Sequence, residues 1–354
     1  MNRTLDHPEE WRRLIQTTLR IQKMAPWRWM REDEVFGVED PRSGELGFVS
    51  VMGTLGEHRA VSVYRGAAAL ARFLELQDAP PEFLQEYPEA LLEIPQLQVS
   101  FEDRDALRDW DRQLLRNLGV KPRGRGTWPQ FQSFRPGFMP WHLEGEEISA
   151  LAAALEQLEQ VAPRAASDPA WSEGLEAGML LIRSRRAADG GGDDWRERRQ
   201  HIPLPPPPPI PLAWDPRDVN RLKGVRSAAD ILEVDFFLMP ATIGKPSERP
   251  ACVYALMAVH LPSAAVFQAE FMQAADTLEG MWGSIPGKLI QKLAQAGLRP
   301  KEVRVRSPLL MRVLPPAFRE IHTPVAFKPA LKRLPAAKRS LLDYFMREPP
   351  PSRG

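Results

Sequence analysis

Cysteine is almost missing from this chain of 354 residues: Cys252 stands alone. No internal disulfide can form, and the apolar neighbours of Cys252 predict a buried, inert thiol. No charge of one sign dominates, since 47 Lys and Arg offset 46 Asp and Glu. That balance excludes a global basic field for nucleic acid and an acidic solvating tail, so any polyanion site must be local. No apolar run nears the roughly 20 residues of a membrane span, and the start, Met1 to Glu10, is polar and acidic. These absences predict a soluble, unexported protein of the cytoplasm with no membrane partner. Histidine is scarce and scattered (His7, His58, His142, His201, His260, His322), with no pair at zinc-ligand spacing. Neither a Gly-x-Ser-x-Gly elbow, a P-loop nor a dinucleotide fingerprint occurs. Gly53-Thr54-Leu55-Gly56 lies between strand-like runs and reads as a hairpin turn rather than a phosphate cradle.

What the chain does have is proline, 36 residues of it, with 43% apolar content, enough for two cores of about 100 to 150 residues each. One order of elements can be read on both sides of the proline run Pro203 to Pro211. In the first half, an amphipathic helix over Pro8 to Met24 precedes strands at Phe36 to Asp40, Leu46 to Gly53 and Arg59 to Tyr64, and a helix from Gly66 to Gln77. A proline-marked loop leads to a strand at Leu97 to Phe101, a helix at Arg104 to Leu118, a strand at Gln130 to Arg135 and a helix at Glu146 to Val161. Met179 to Arg186 and Trp195 to Leu204, separated by Gly190-Gly191-Gly192, predict a β-arm. Pro205 to Pro209 must be polyproline II, either a stiff spacer or a ligand for a proline-recognising protein partner. In the second half, a short helix near Arg217 precedes strands at Ile231 to Met239, Cys252 to His260 and Ala264 to Phe271. A helix at Pro286 to Gln295, a strand at Glu302 to Arg306, a helix at Leu309 to Glu320 that Pro315 and Pro316 must distort, a strand at Pro324 to Phe327 and a helix at Ala336 to Met346 follow. The expected architecture is mixed α/β, with two units each carrying a mixed sheet in the order βββαβαβα. The boundaries are residues 1–165, a connecting arm and linker over 166–213, residues 214–348, and a disordered tail over 349–354.

Two resemblances follow from particular residues. Pro26-Trp27-Arg28-Trp29-Met30, Phe36-Gly37, Val51-Met52-Gly53 with Gly56-Glu57, and Val63-Tyr64-Arg65-Gly66 resemble a group of uncharacterised bacterial proteins that join two domains of unknown function. Gly297-Leu298-Arg299-Pro300, Val305-Arg306-Ser307 and Leu334-Pro335-Ala336 extend the likeness into the second half. That family implies two domains and no activity. The element order of each half also resembles ribonuclease H-like folds, in which acids on the first strand, near the fourth strand and on a late helix hold two divalent cations, Mg²⁺ or Mn²⁺, for phosphodiester chemistry. In the second half the resemblance carries over only at Asp235, because the fourth strand reads Val303-Arg304-Val305-Arg306-Ser307 and the last helix offers only Asp343. In the first half Glu39 and Asp40, Glu102 and Asp103, and Glu144, Glu146 and Glu147 fall at the three elements. Asp40, Asp103 and Glu147 are therefore either a metal-dependent nuclease set, or a turn residue, a helix N-cap and first-turn dressing.

Basic and aromatic residues interleave at Trp27-Arg28-Trp29-Met30-Arg31 and at Lys121-Pro122-Arg123-Gly124-Arg125-Gly126-Thr127-Trp128. Arg123, Arg125 and Trp128 combine charge with a stacking face, as contact with a phosphate backbone requires; a solvated loop is the alternative. On the arm, Arg185, Arg186, Arg198 and Arg199, with Arg183 and Arg196, would make one basic ribbon if the strands pair. The expected function is a non-catalytic binding or adaptor protein without a cofactor. A divalent-metal nuclease and a sequence-tolerant nucleic-acid binder are the alternatives.

Overall fold

Pro8–Met24 places Trp11, Leu14, Ile15, Thr18 and Ile21 on one buried face and forms helix α1, closed by Ala25 in the left-handed region with its N–H on the Ile21 carbonyl. The computed structural model describes residues 6–54, 56, 58–168, 171, 178–187 and 193–347. Leu55, Glu57, the Gly190-Gly191-Gly192 link and the tail from Pro349 fall outside the described residues. The chain divides into two compact units, Met1–Arg135 with Pro140–Pro207, and Pro136–Met139 with Pro208–Gly354.

The first unit continues with β1 (Phe36–Glu39), β2 (Leu46–Met52), β3 (Ala60–Arg65), α2 (Gly66–Gln77), α3 (Pro81–Glu86), β4 (Gln96–Glu102), α4 (Asp109–Asn117), β5 (Trp128–Phe134), α5 (Glu146–Ser167), β6 (Met179–Ala187) and β7 (Asp193–His201). Its seven strands lie in the order β5-β4-β3-β2-β1-β6-β7. All neighbours are antiparallel except β1 and β6. The period of two sorts each strand's side chains: Val49, Val51, Val61 and Val99 face the core under α1 and α5, whereas Phe48 and Tyr64 face α2 with Leu70 and Phe73. The arm is a hairpin of this sheet, docked on β1 through Gly37 opposite Ile182. At Gly37 a Cβ would sit 2.4 Å from the Ile182 Cδ1, so any side chain there would have to displace the tip of Ile182.

The proline-marked loop contains α3 and a 3₁₀ turn over Pro88–Glu93. Proline is pre-organised for the first helical positions, which is why it starts helices here instead of excluding them. The helix expected over Arg104 to Leu118 splits into a 3₁₀ turn, Arg104–Ala106, and α4, because Leu107 and Arg108 are extended. Arg108 uses that extension to donate to Phe131 O, while buried Asp111 accepts from Phe131 N at 3.1 Å.

The α2 face of the sheet carries a polar seam. Gln98 donates to Ser62 Oγ at 2.9 Å, Ser50 donates to the Glu32 carbonyl at 2.7 Å, and the buried Tyr64 hydroxyl, bonded to Ser62 and Ser50, titrates far above its ordinary range because of burial. Burial also raises the Glu32 carboxyl, partly countered by a hydrogen bond from Gln77, and it raises Asp111 against the opposing pull of Arg108. A carboxyl raised in the folded state binds protons that the unfolded chain releases. Its stabilising contribution is complete below the ordinary carboxylate pKa and is lost as pH climbs through the raised value. Glu197 and Glu302, lowered chiefly by hydrogen bonds from Arg164 and Arg304, subtract stability only as pH falls below that ordinary value. The thermal midpoint is therefore expected to rise as pH drops from about 8 to about 5. Glu32→Gln should shrink that rise and raise the midpoint at the alkaline end; an unchanged slope would contradict this assignment.

The second unit comprises α6 (Pro216–Lys223), β8 (Ile231–Ile243), β9 (Ala251–His260), β10 (Val266–Met272), α7 (Leu278–Ala296), β11 (Glu302–Val305), α8 (Pro308–Glu320), β12 (Val325–Phe327) and α9 (Leu334–Arg347). Its sheet order is β10-β9-β8-β11-β12, with β11 parallel to both neighbours. Val234, Phe236, Tyr254 and Leu256 pack with α7 and α8, and Phe237, Met239, Ala255 and Met257 with Leu334 of α9. Helix α7 begins well before Pro286, with Thr277 accepting from Gly280 N as its N-cap. Helix α8 runs unbroken through Pro315 and Pro316; the prolines remove two donors, yet buried Leu314, Ala317 and Phe318 hold the helix on the sheet. Ile210, Leu212 and Trp214, the end of the proline-rich strap, pack on this core.

The two halves share an element order but not a sheet. In the second unit the fourth strand, β11, lies beside the first, β8. In the first unit β4 instead pairs with β3, and β1 takes β6 as its second neighbour. The reading of one topology in both halves is corrected accordingly. Among the described residues no helix is long and apolar enough to cross a membrane.

Candidate anion-binding cleft

Three chain segments distant in sequence close one cleft of the first unit. After α1, the left-handed Ala25 turns the chain into a 3₁₀ turn, Pro26–Arg28, that buries Trp27 and leaves Arg28 exposed. In the β2–β3 turn, Gly53 has φ +118°, and a Cβ there would lie 2.9 Å from the Arg59 Cα, so the turn is tight enough to require glycine. The third segment is the loop before β5, where Gly124 and Gly126 take positive φ. The cleft has a volume of about 440 Å³, and Lys23, Trp27, Arg28, Thr54, Arg59 and Thr127 contribute side chains to it.

Arg59 lies over the Trp27 ring, its Cζ 6.0 Å from the centroid, and Trp27 is backed by Phe101 at 5.2 Å. Directly after Thr127, Trp128 at the start of β5 is covered in the same way by Arg104 at 5.7 Å. Among the described residues no carboxylate lines the cleft. Lys23, Arg28 and Arg59 have no ion pair among the described residues.

The expected site residues distribute as follows. Arg125 pairs with Asp103 at 3.6 Å, and Gly126 N–H donates to the other Asp103 oxygen at 2.7 Å, so Asp103 braces the cleft loop. It caps no helix with its side chain, contrary to the capping expectation. Asp40 accepts from Arg42 N and Ser43 Oγ in its own turn. Glu147 accepts from Ser133 Oγ at 2.8 Å and from Glu144 N at 3.0 Å. The three acids do not converge: β1 and β4 are separated by β2 and β3, about 14 Å at the usual strand spacing, whereas paired metals sit about 3.5 to 4 Å apart. These residues do not fit a Mg²⁺ or Mn²⁺ pair. Among the described residues no group of three or more His, Cys, Asp or Glu side chains could hold a metal ion.

In the second unit Asp235 accepts from Lys338 Nζ at 2.9 Å and from Phe236 N, while β11 brings Arg304 opposite Glu233. His260, counted among the scattered histidines, clasps the β9–β10 turn through Ser263 Oγ at 2.6 Å and Asp230 at 2.7 Å.

The arginine ribbon is divided by the pleat. Leu181 pairs with Arg199, Arg183 with Glu197 and Arg185 with Trp195, whereas Ile182 pairs with Arg198, Ser184 with Arg196 and Arg186 with Asp194. Alternate pairs occupy opposite faces, so Arg185 and Arg199 share one face and Arg198 and the register position of Arg186 the other. Glu197 takes both Arg164 and Arg183. The side chain of Arg186 lies outside the described residues.

Two motifs singled out in the sequence, Trp27-Arg28 and the Arg123 to Trp128 loop, thus meet, while Lys23 and Arg59 went unrecognised. The signal available for Arg59 was its place directly after a turn with two glycines.

Fold and cleft together define a mixed α/β protein of two domains. Residues 11–183 match the family model of a domain of unknown function (DUF7309), and residues 218–342 match that of a second domain of unknown function (DUF6930). The cleft lies within the first match. No curated protein and no solved structure matches the chain.

Proposed function

We propose that the protein is a non-catalytic binding protein of the cytoplasm whose first domain holds a multiply charged anion in the cleft beside Trp27. The observation that carries this reading is the gathering of Lys23, Arg28 and Arg59 on one cleft, with no carboxylate of the described residues lining it. Like charges placed together repel, and a bound anion relieves that repulsion while gaining charge-assisted hydrogen bonds. A cleft of about 440 Å³ falls in the usual range for small ligands, about 300 to 1,000 Å³. A reducing compartment suits Cys252, which is buried and whose thiol burial pushes up to about 11.

Calorimetric titration with tripolyphosphate tests the proposal. The wild type should bind with an affinity that falls as salt is added, and Arg59→Ala should bind about tenfold or more weakly. Equal affinity in the two proteins, or no binding at low salt, removes the cleft from consideration.

A further inference from the structure

We infer that the anion held in the cleft is part of a single-stranded polynucleotide, an inference that rests on the anion-binding reading above. A site for bare phosphate needs cations and backbone N–H groups; it has no use for indoles beneath them. Here two arginines are held over tryptophan rings, Arg59 on Trp27 and Arg104 on Trp128. The loop between the two pairs, Gly124 to Thr127, supplies Gly126 and Thr127 to the cleft. Trp27 is only 6% exposed, so the accessible stacking surface is the guanidinium of Arg59, held in place by the ring behind it. Guanidinium groups over aromatic rings are platforms for unstacked bases, with cation–π attraction fixing the arginine and π-stacking receiving the base.

The remaining cations suit the backbone. Lys23 and Arg28 line the cleft, and Arg123, exposed and without an ion pair among the described residues, stands in the adjoining loop. Gly126, at φ +59°, lies beside the guanidinium: a notional Cβ there would stand at an ordinary contact distance of 3.9 Å from the Arg59 Nη1. Bases within a duplex are already stacked and cannot reach such platforms, which selects single strands. The contacts involve base faces rather than edges, so recognition tolerates sequence.

The experiment is fluorescence anisotropy with labelled oligo-T and oligo-U of increasing length, competed by tripolyphosphate. Affinity should rise with length and then level off, and a duplex of equal length should bind about tenfold more weakly or worse. With three phosphates neutralised by Lys23, Arg28 and Arg123, the slope of log affinity against log salt should be about −2. Arg59→Lys keeps the charge but loses the planar group; it should bind tripolyphosphate within about twofold of wild type and oligonucleotide about fivefold more weakly. Comparison of oligo-T with oligo-U assigns the source to DNA or RNA. Oligonucleotides no tighter than tripolyphosphate, a duplex that binds as well as a single strand, or equal weakening of both ligands by Arg59→Lys would overturn the polynucleotide while leaving the anion site standing. Failure of both ligands to bind would overturn both.

Discussion

Gly283→Ala is expected to unfold the second domain at markedly lower denaturant, with a loss of about 3 kcal/mol or more. A Cβ at this position of α7 would lie 2.1 Å from the Pro211 carbonyl oxygen and 2.8 Å from its carbon. Both are backbone atoms, so no side-chain rotation can make room. The strap cannot withdraw easily either, because Ile210 and Leu212 pack on the core and Ala213 N–H donates to Gly283 O at 3.0 Å. Gly287, one helical turn on, has the same relation to Ala213 O at 2.6 Å. Gly224→Ala is the control, since its Cβ would meet only Arg221 O at an ordinary 3.5 Å and its φ is −77°; it should be neutral or stabilising by up to about 1 kcal/mol. Urea unfolding followed by tryptophan fluorescence reads both variants, and indistinguishable midpoints would refute the account.

Glu233→Ala should cost the same domain about 2 to 4 kcal/mol. Glu233 is 1% exposed on β8, and its carboxylate accepts the N–H groups of Lys332 and Arg333 at 2.7 Å and Leu334 at 2.9 Å. The first amide of α9 and the two that precede it are thus held by a carboxylate from the sheet, with the helix dipole adding to the attraction. Asp235 and Lys338 tie the next turn to the same strand, and Lys338 also lies 4.3 Å from the Phe237 ring centroid. Glu233→Gln retains one acceptor oxygen and presents N–H groups where an oxygen stood, so an intermediate loss is expected. Hydrogen exchange should show α9 amides losing protection ahead of the rest of the domain in Glu233→Ala. Unchanged protection would mean that apolar contacts alone hold the helix.

Both effects depend on pairings that residue patterns reveal only in part. The alternation of Leu232, Val234 and Phe236 with Glu233, Asp235 and Phe237 makes β8 legible as a strand, and the apolar spacing of α1 reproduces its ends. Local pattern does not say which strand β4 will join, because Leu97, Val99 and Phe101 would suit either edge; the sheet decides by pairing Val99 with Val61. Likewise the arginine ribbon follows from composition, but its division follows from register, which places Arg183 opposite Glu197. The cleft was half legible: its aromatic and basic runs stood out, whereas Lys23 and Arg59 are single cations whose importance arises only when the β2–β3 turn and the loop before β5 close on Trp27. The acids of the first half show the opposite error. Asp40, Asp103 and Glu147 fell at suggestive elements, yet each is consumed locally by hydrogen bonds.

The allocation of Pro136–Met139 to the second domain bears on how this chain emerges from a ribosome. Gly137 O receives the N–H of Cys252, Met139 N–H donates to Pro250 O, and the Met139 sulfur lies 3.7 Å from the Cys252 thiol. A fragment begun at the proline run would therefore carry every helix and strand of the second domain but lack the border along β9. During synthesis those four residues appear first and must wait, unpaired, until β9 has followed them out.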